Sequence, residues 1–194
     1  PTQIREQDKG KTTGGGAAEF RSKSQIDLML RGNSEIREYL KVDTPSQIGV
    51  DLGGNSRVRG VLKVRTKSQL DLDVSTRIGG GICVADAGEV KLTPRDATID
   101  GGISLTSNDQ VTVDSLENAT TGPITIDASG QVKFDGTRNS AVNGPVSVTA
   151  AGQVKLDELE GVSTGPITVD GKGQVDIVTG RDTTANGGIG VTDA

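Results

Sequence analysis

Two stretches of the chain carry the pattern that decides the fold: residues 122–134 read GPITIDASGQVKF, and residues 165–177 read GPITVDGKGQVDI. Each stretch contains two pairs of apolar residues, and the two members of a pair are separated by one residue. Apolar residues that alternate with other residues in this way predict a strand with one buried face. The Asp, Gly and Ser or Lys residues between the pairs favour a turn. Each stretch therefore predicts two short strands joined by a corner.

The motif recurs along the whole chain with a period of 20 to 22 residues. Its most regular feature is a Gln followed by an aliphatic residue, and Glu89-Val90 fills the one gap in the series. An apolar pair such as Ile124 and Ile126 precedes each of these positions except Gln3. A fixed period of this length is typical of solenoid proteins. The Gln residues that mark the repeat are Gln3, Gln25, Gln47, Gln69, Gln110, Gln131, Gln153 and Gln174.

A third, weaker apolar position lies between each Gln and the next apolar pair. Each repeat then contributes two to three short strands, so we predict an all-β fold: a single parallel β-solenoid (β-helix) over residues 1–194. It would have about nine rungs of 20–22 residues, and parallel strands joined by crossovers favour a right-handed coil. The weaker position is occupied by Ile36, Val58, Ile78, Ile99, Val142 and Val162.

Stacking of the rungs would place the Gln side chains in one axial column. Amides stacked at rung spacing can hydrogen-bond along the axis, so we expect a structural Gln ladder that holds the register. A partial second ladder at a turn is predicted for Asn33, Asn55, Asn118 and Asn139. The strand that precedes each Gln would point Cys83 outward, and later rungs would present a solvated face of Ser and Thr side chains.

Composition excludes several classes of function. The 194 residues carry a net charge of −5, which argues against a nucleic-acid-binding protein. Histidine is absent, so catalytic triads and zinc sites that need it are ruled out. No carboxylate pair stands out, and we expect no enzymatic activity, no cofactor and no metal. No apolar run is long enough for membrane insertion.

The two ends of the chain fit each other. Residues 1–16 form a partial rung with a Gly-rich arm, and residues 187–194 form a half-rung. Joining Ala194 to Pro1 of another copy reproduces the Asp-Ala-x-x-Gln-aliphatic pattern of the internal corners, with one extra residue before the Gln. We therefore expect a head-to-tail homopolymer in which each half-rung is completed by the next subunit. The expected interface residues are Pro1, Thr2, Gln3, Ile4, Ala18, Phe20, Ile189, Val191, Asp193 and Ala194.

A second interpretation stays open, because a segment of a longer repeat protein would also lack caps at its ends. In that case the chain would be part of a larger adhesin that binds a surface or host ligand. The two interpretations differ in an observable way, since only the first predicts filaments.

The Gly-Pro repeats at residues 122–134 and 165–177 resemble the filamentous-haemagglutinin-type repeats of bacterial secreted adhesins. The resemblance is clearest over residues 80–194, while residues 1–79 share only the period. It implies a right-handed β-helix that is exported to the outside of a bacterial cell or to its surface and acts in adhesion and biofilm formation. The chain departs from the family in having only nine rungs and no recognisable secretion motif.

Overall fold

The computed structural model describes residues 4–8, 13–14, 16–150 and 152–192, and these residues contain 27 strands and no helix. The strands form three parallel sheets of nine strands each, and every strand pairs with the strand three positions away in the chain. The protein is therefore an all-β parallel solenoid, which confirms the predicted fold. Each rung contains three strands, the upper of the two numbers that the sequence suggested.

Sheet A contains the strands that follow the Gln residues. Neighbouring strands pair in register, so that Ile26, Ile48 and Leu70 lie in one column. The strands are β1 (Ile4–Asp8), β4 (Ile26–Leu30), β7 (Ile48–Leu52), β10 (Gln69–Val74), β13 (Glu89–Pro94), β16 (Val111–Asp114), β19 (Val132–Asp135), β22 (Val154–Leu159) and β25 (Val175–Thr179).

Sheet B is narrow, because each of its strands has only two residues. It corresponds to the weaker apolar position of the repeat. The strands are β2 (Thr13–Gly14), β5 (Glu35–Ile36), β8 (Arg57–Val58), β11 (Arg77–Ile78), β14 (Thr98–Ile99), β17 (Thr120–Thr121), β20 (Ala141–Val142), β23 (Ser163–Thr164) and β26 (Thr184–Ala185).

Sheet C contains the strands that precede the Gln residues. The strands are β3 (Ala18–Arg21), β6 (Leu40–Asp43), β9 (Val61–Arg65), β12 (Gly81–Ala87), β15 (Ile103–Ser107), β18 (Ile124–Ala128), β21 (Val146–Ala150), β24 (Ile167–Gly171) and β27 (Ile189–Thr192). If each rung is taken to begin with its sheet A strand, every rung has one strand in each of the three sheets. If each rung is taken to begin with its sheet C strand, the last rung contains only β27, which lies in residues 187–194.

The core is a thin prism filled by inward side chains of all three sheets. Alternate residues of the long strands in the inner rungs are buried, as in β10, where Leu70, Leu72 and Val74 lie inside. Because equivalent residues stack from rung to rung, β-branched and Leu side chains fill most of the narrow interior, and Phe134 is the one aromatic side chain buried there among the described residues.

In sheet B, the structure shows that one predicted position of the repeat is wrong. Val162 was expected to occupy the apolar position, but the residue in register with Val142 is Thr164, and Val162 is buried before the strand begins. Thr121 occupies the same column one rung earlier than Val142. A hydroxyl residue in an apolar column escapes a search for aliphatic repeats.

The described part of the chain contains no helix long and apolar enough to cross a membrane.

Candidate assembly interface

The last rung exposes large apolar side chains on two of its strands. Among the described residues, the large apolar side chains with high exposure are Val178 at 46%, Ile189 at 44% and Val191 at 52%. All three belong to β25 or β27. The C-terminal end of the solenoid is therefore an apolar face.

The exposure of Ile189 and Val191 results from their position at the end of the stack, whereas Val178 lies on the outward side of β25. Ile189 pairs with Ile167, which is 3% exposed, and Val191 pairs with Val169, which is 0% exposed. The residue types and the strand geometry are the same in the two rungs. Another rung placed on β27 would bury Ile189 and Val191 as β27 itself buries Ile167 and Val169.

The first rung shows the complementary pattern. Ala18 and Phe20 on β3 are only partly buried, although their column neighbours Leu40 and Val42 are fully inside. Both side chains pack against the core on the side of the second rung. Among the described residues, the N-terminal end therefore also leaves apolar side chains incompletely covered.

In the described part of the chain, the outermost strand at each end of the three sheets also pairs on one side only. In the interior, the Ile26 N–H donates to the Gln47 carbonyl at 3.1 Å, and the Val154 N–H donates to the Gln174 carbonyl at 2.8 Å. Within the described chain, β25 and β27 pair only with the preceding rung, and β1 and β3 pair only with the following one. Such edges are templates for strand addition.

The residues expected at the interface divide between the two ends. Ile4, Ala18 and Phe20 lie in the first rung, whereas Ile189 and Val191 lie in the last. Pro1, Thr2, Gln3, Asp193 and Ala194 lie outside the described residues, as does most of the Gly-rich arm, of which β2 is described.

A network of polar contacts holds the outer surface of the first rung against the second. The Tyr39 hydroxyl donates to Glu19 Oε1 at 2.6 Å, and Arg21 lies 3.2 Å from the same carboxylate. The hydrogen bond from Tyr39 lowers the pKa of Glu19 and raises the pKa of Tyr39. Lys63 Nζ lies 5.7 Å from the Tyr39 ring centre, which extends the contact to the third rung.

Charge is distributed unequally along the axis. Residues 1–80 contain 14 Lys and Arg against 10 Asp and Glu, whereas residues 81–194 contain 7 against 16. Rung order follows chain order, so the N-terminal half of the stack is positive and the C-terminal half negative. Unlike ends would attract each other in a head-to-tail contact, and like ends would repel.

One residue relevant to such a contact, Val178, was not identified from the sequence. Val178 follows the last inward residue of β25, where the two preceding rungs have Asp135 and Asp157. Asp176 points outward on the same strand, next to Lys155. The substitution of an apolar residue for Asp in the last rung was visible in the repeat alignment and is the signal that could have identified Val178.

The hydrogen bonds of the predicted Gln and Asn ladders involve carboxylates as well as amides. In the Gln column, the Gln25 amide donates to Asp27 at 3.2 Å and the Gln69 amide donates to Glu89 at 2.9 Å, so these amides bind carboxylates. An Asn pair does connect adjacent rungs, since Asn55 Nδ2 donates to Asn33 Oδ1 at 3.2 Å. A continuous ladder of Gln amides stays a prediction.

Three other possible sites on the surface were considered: a cysteine, a groove lined by arginines and clusters of metal-binding side chains. Cys83 is an exposed free thiol beside the glycine corner formed by Gly81 and Gly102. A groove on sheet B is lined by arginines, but Arg77 binds Asp100 at 2.9 Å and Arg59 is held by Glu35. Within the described ranges, no three His, Cys, Asp or Glu side chains cluster in a way that could hold a metal ion.

Comparisons with family models, with curated proteins and with solved structures gave no significant match for this chain. The resemblance to filamentous-haemagglutinin repeats therefore stays a prediction, while its coarser part, a parallel β-solenoid built from repeats, is what the structure has.

Proposed function

We propose that the chain is a non-enzymatic structural subunit that stacks head to tail into an extracellular β-solenoid filament of the filamentous-haemagglutinin style, such as a surface fibre or a biofilm matrix component. The observation that carries the proposal is the contrast within one column: Ile189 and Val191 are half exposed, whereas Ile167 and Val169 in the preceding rung are buried. A second copy is the occupant whose strands repeat the same spacing and residue types.

The register of such a contact follows from the rung pattern. β1 of the next copy would add to β25, and β3 would add to β27. Ile4 would then lie opposite Val175, and Arg5 opposite Asp176, which is a favourable pair of opposite charges on neighbouring strands. The positive N-terminal half of one subunit would meet the negative C-terminal half of the other, so charge also favours this orientation.

The chemistry of the assembly would be strand pairing and apolar stacking, with no covalent step. Each junction would form main-chain hydrogen bonds in sheets A, B and C and would bury the apolar columns of both ends. Each subunit that adds through its N-terminal end presents a new, free C-terminal end. Growth would therefore be unbounded, as expected for a heterologous contact that does not close.

Cysteine cross-linking tests the proposed register. In a Cys83→Ser background, Arg21→Cys and Thr192→Cys would place two outward thiols on adjacent parallel strands across the junction, about 4.8 Å apart. That separation suits a disulfide. Mild oxidation should give a regular ladder of covalent dimers, trimers and longer species in denaturing gels.

The matched control uses the same outward column two rungs further from the junction. Arg21→Cys with Thr149→Cys keeps two thiols per chain but separates them by about three rungs, roughly 14 Å, so the ladder should be absent. Equal ladders from both pairs, or none from the first, would contradict the proposed junction. Electron cryomicroscopy should also show a subunit rise of about 43 Å, nine rungs at about 4.8 Å each.

The alternative is that the chain is a segment of a larger secreted adhesin. The same unpaired last rung favours it, because a further rung of a longer chain would cover Ile189 and Val191 equally well. This interpretation predicts that the purified chain stays monomeric at high concentration. In that case the exposed hydroxyl face of sheet C, with Thr106, Thr125 and Thr168, becomes the first surface to test for ligands.

A further inference from the structure

The first strand of sheet A places an acidic residue in a column that is apolar in all later rungs. β1 pairs in register with β4, and Glu6 lies opposite Leu28. From Leu28 to Leu156 the members of this column are at most 4% exposed. The residues that follow Glu6 in the column are Leu28, Val50, Leu72, Leu92, Val113, Phe134, Leu156 and Ile177. Glu6 is therefore the only charged residue at a described position of this column.

The proposed junction would enclose the position of Glu6. Within the described chain, β1 pairs only with β4, so this position lies at a free edge of sheet A. In the junction, β1 of one copy adds to β25 of another, and Ile4 lies opposite Val175. The same register puts Glu6 opposite Ile177. Assembly would therefore enclose a carboxylic acid between Leu28 on one side and Ile177 on the other.

The strands around this position supply no positive charge to its column. Apart from Glu6, the charged residues of β1 to β4 and of β25 to β27 are Arg5, Asp8, Glu19, Arg21, Asp27 and Asp176. The two arginines belong to columns that alternate with the buried ones, as Arg5 does with Asp27. Asp8 lies two residues after Glu6, but it is acidic, and in the junction it would lie opposite the hydroxyl residue Thr179. Glu6 would therefore have no cationic partner in its column.

We propose that Glu6 makes the head-to-tail junction pH-dependent, so that the junction forms readily when Glu6 is protonated and is opposed when Glu6 is ionised. This inference rests on the proposed filament function. An ionised carboxylate without a cationic partner is costly to remove from water, so the neutral form is favoured in the junction. Charges at inward positions are also a device by which natural sheets resist unwanted strand addition.

The direction of the pH effect follows from proton uptake. A glutamate side chain in water titrates near about pH 4.3, and in the junction it would hold its proton to higher pH. The filament then binds more protons than the free subunits, so assembly is strongest below about pH 4.3 and weakens as the pH rises. Within this window the critical concentration should rise by up to about tenfold per pH unit.

Sedimentation of the purified chain at constant ionic strength tests the inference. Between about pH 5 and about pH 7.5 the critical concentration of the parent should rise at least about tenfold. Glu6→Gln has nearly the same shape and does not ionise, so its critical concentration should rise by less than about threefold. Chemical denaturation of dilute subunits at both pH values shows that each protein is folded.

Glu38→Gln is the matched control, because Glu38 is exposed in the second rung and the variant makes the same change in net charge. It should keep the rise of the parent. If Glu6→Gln forms filaments with the same pH dependence as the parent, or if Glu38→Gln loses the rise equally, the inference is overturned and the filament proposal stands. If none of the three proteins forms filaments at either pH, the filament proposal is overturned, and this inference falls with it.

Discussion

At the scale of single residues, corners of the solenoid depend on side chains that tolerate unusual backbone geometry. One corner carries a column of residues with positive φ: Asp96 at 49°, Asn118 at 49°, Asn139 at 48° and Asp182 at 55°, with Gly161 at 61° in the same column. Asp, Asn and Gly are the residues that adopt this conformation at low cost. The next corner depends instead on close backbone approach, which only glycine permits.

Gly101→Ala should destabilise the protein strongly. A Cβ atom at position 101 would lie 1.6 Å from the Gly80 carbonyl oxygen, which is part of the stacked backbone of the previous rung and has no room to move. We expect the free energy of unfolding to fall by about 3 kcal/mol or more, in the upper range for single substitutions.

Gly16→Ala provides the comparison for this prediction, because a Cβ there meets no atom within 4 Å. Chemical denaturation of both variants, at concentrations too low for assembly, measures the difference. Similar midpoints for Gly101→Ala and Gly16→Ala would show that the corner relaxes more easily than the geometry indicates.

At the scale of elements, the rungs are held together by columns that run along the axis. One such column was not found from the sequence: Arg95, Glu117, Arg138 and Glu160 pair from rung to rung, so their charges alternate. Arg138 and Glu160 are 4.0 Å apart. The column lies in the segment of variable length between sheets A and B, where the sequence pattern indicates only the weaker apolar position and the Asn residues.

Substitution by Ala at one column position should lower the free energy of unfolding by different amounts in the last two rungs. Ile167→Ala removes a buried side chain on β24 and should lower the free energy of unfolding by about 3 kcal/mol. Ile189→Ala on β27 removes a half-exposed side chain, so it should cost less than about 1 kcal/mol in the isolated subunit.

Filament formation, in contrast to subunit stability, should depend strongly on Ile189. Ile189→Ala should raise the critical concentration for filament formation, because Ile189 becomes buried only in the junction. Sedimentation measures assembly and dilute-solution denaturation measures subunit stability. A large loss of subunit stability in Ile189→Ala would mean that β27 is already covered within the chain.

At the scale of the whole molecule, the unequal distribution of charge gives the stack an electrical polarity. Long-range attraction between unlike ends should speed elongation at low ionic strength, and salt should slow it, because the screening length falls from about 30 Å at 0.01 M to about 3 Å at 1 M. An assembly driven by apolar burial alone would show the opposite trend.

Asp176→Arg isolates the contribution of the C-terminal end. It reverses the charge opposite Arg5 in the proposed junction, so elongation at low salt should slow on the order of tenfold. Asp127→Arg makes the same change in net charge on an exposed position of β18, far from both ends, and should leave the rate within about a factor of two. Light scattering during seeded growth measures both, and equal slowing would exclude a specific end effect.

The sequence alone determined the repeat, the fold class and the stacking of the strands in sheets A and C. This was possible because parallel pairing imposes a strict register, and a strict register leaves a regular trace in Gln-aliphatic and aliphatic-x-aliphatic positions such as Gln131-Val132 and Ile124 with Ile126. It also placed Ile4 and Phe20 in the first rung and Ile189 and Val191 in the last.

Only the tertiary structure decided what the irregular segments do. The strands of sheet B have two residues, which is too short for a period of two to be recognised, so Thr121 and Thr164 were not seen to enter an apolar column. The alternating Arg and Glu column and the burial of Thr164 depend on which residues lie above and below one another. Those neighbours lie about 20 residues apart in the chain and become adjacent only when the rungs stack.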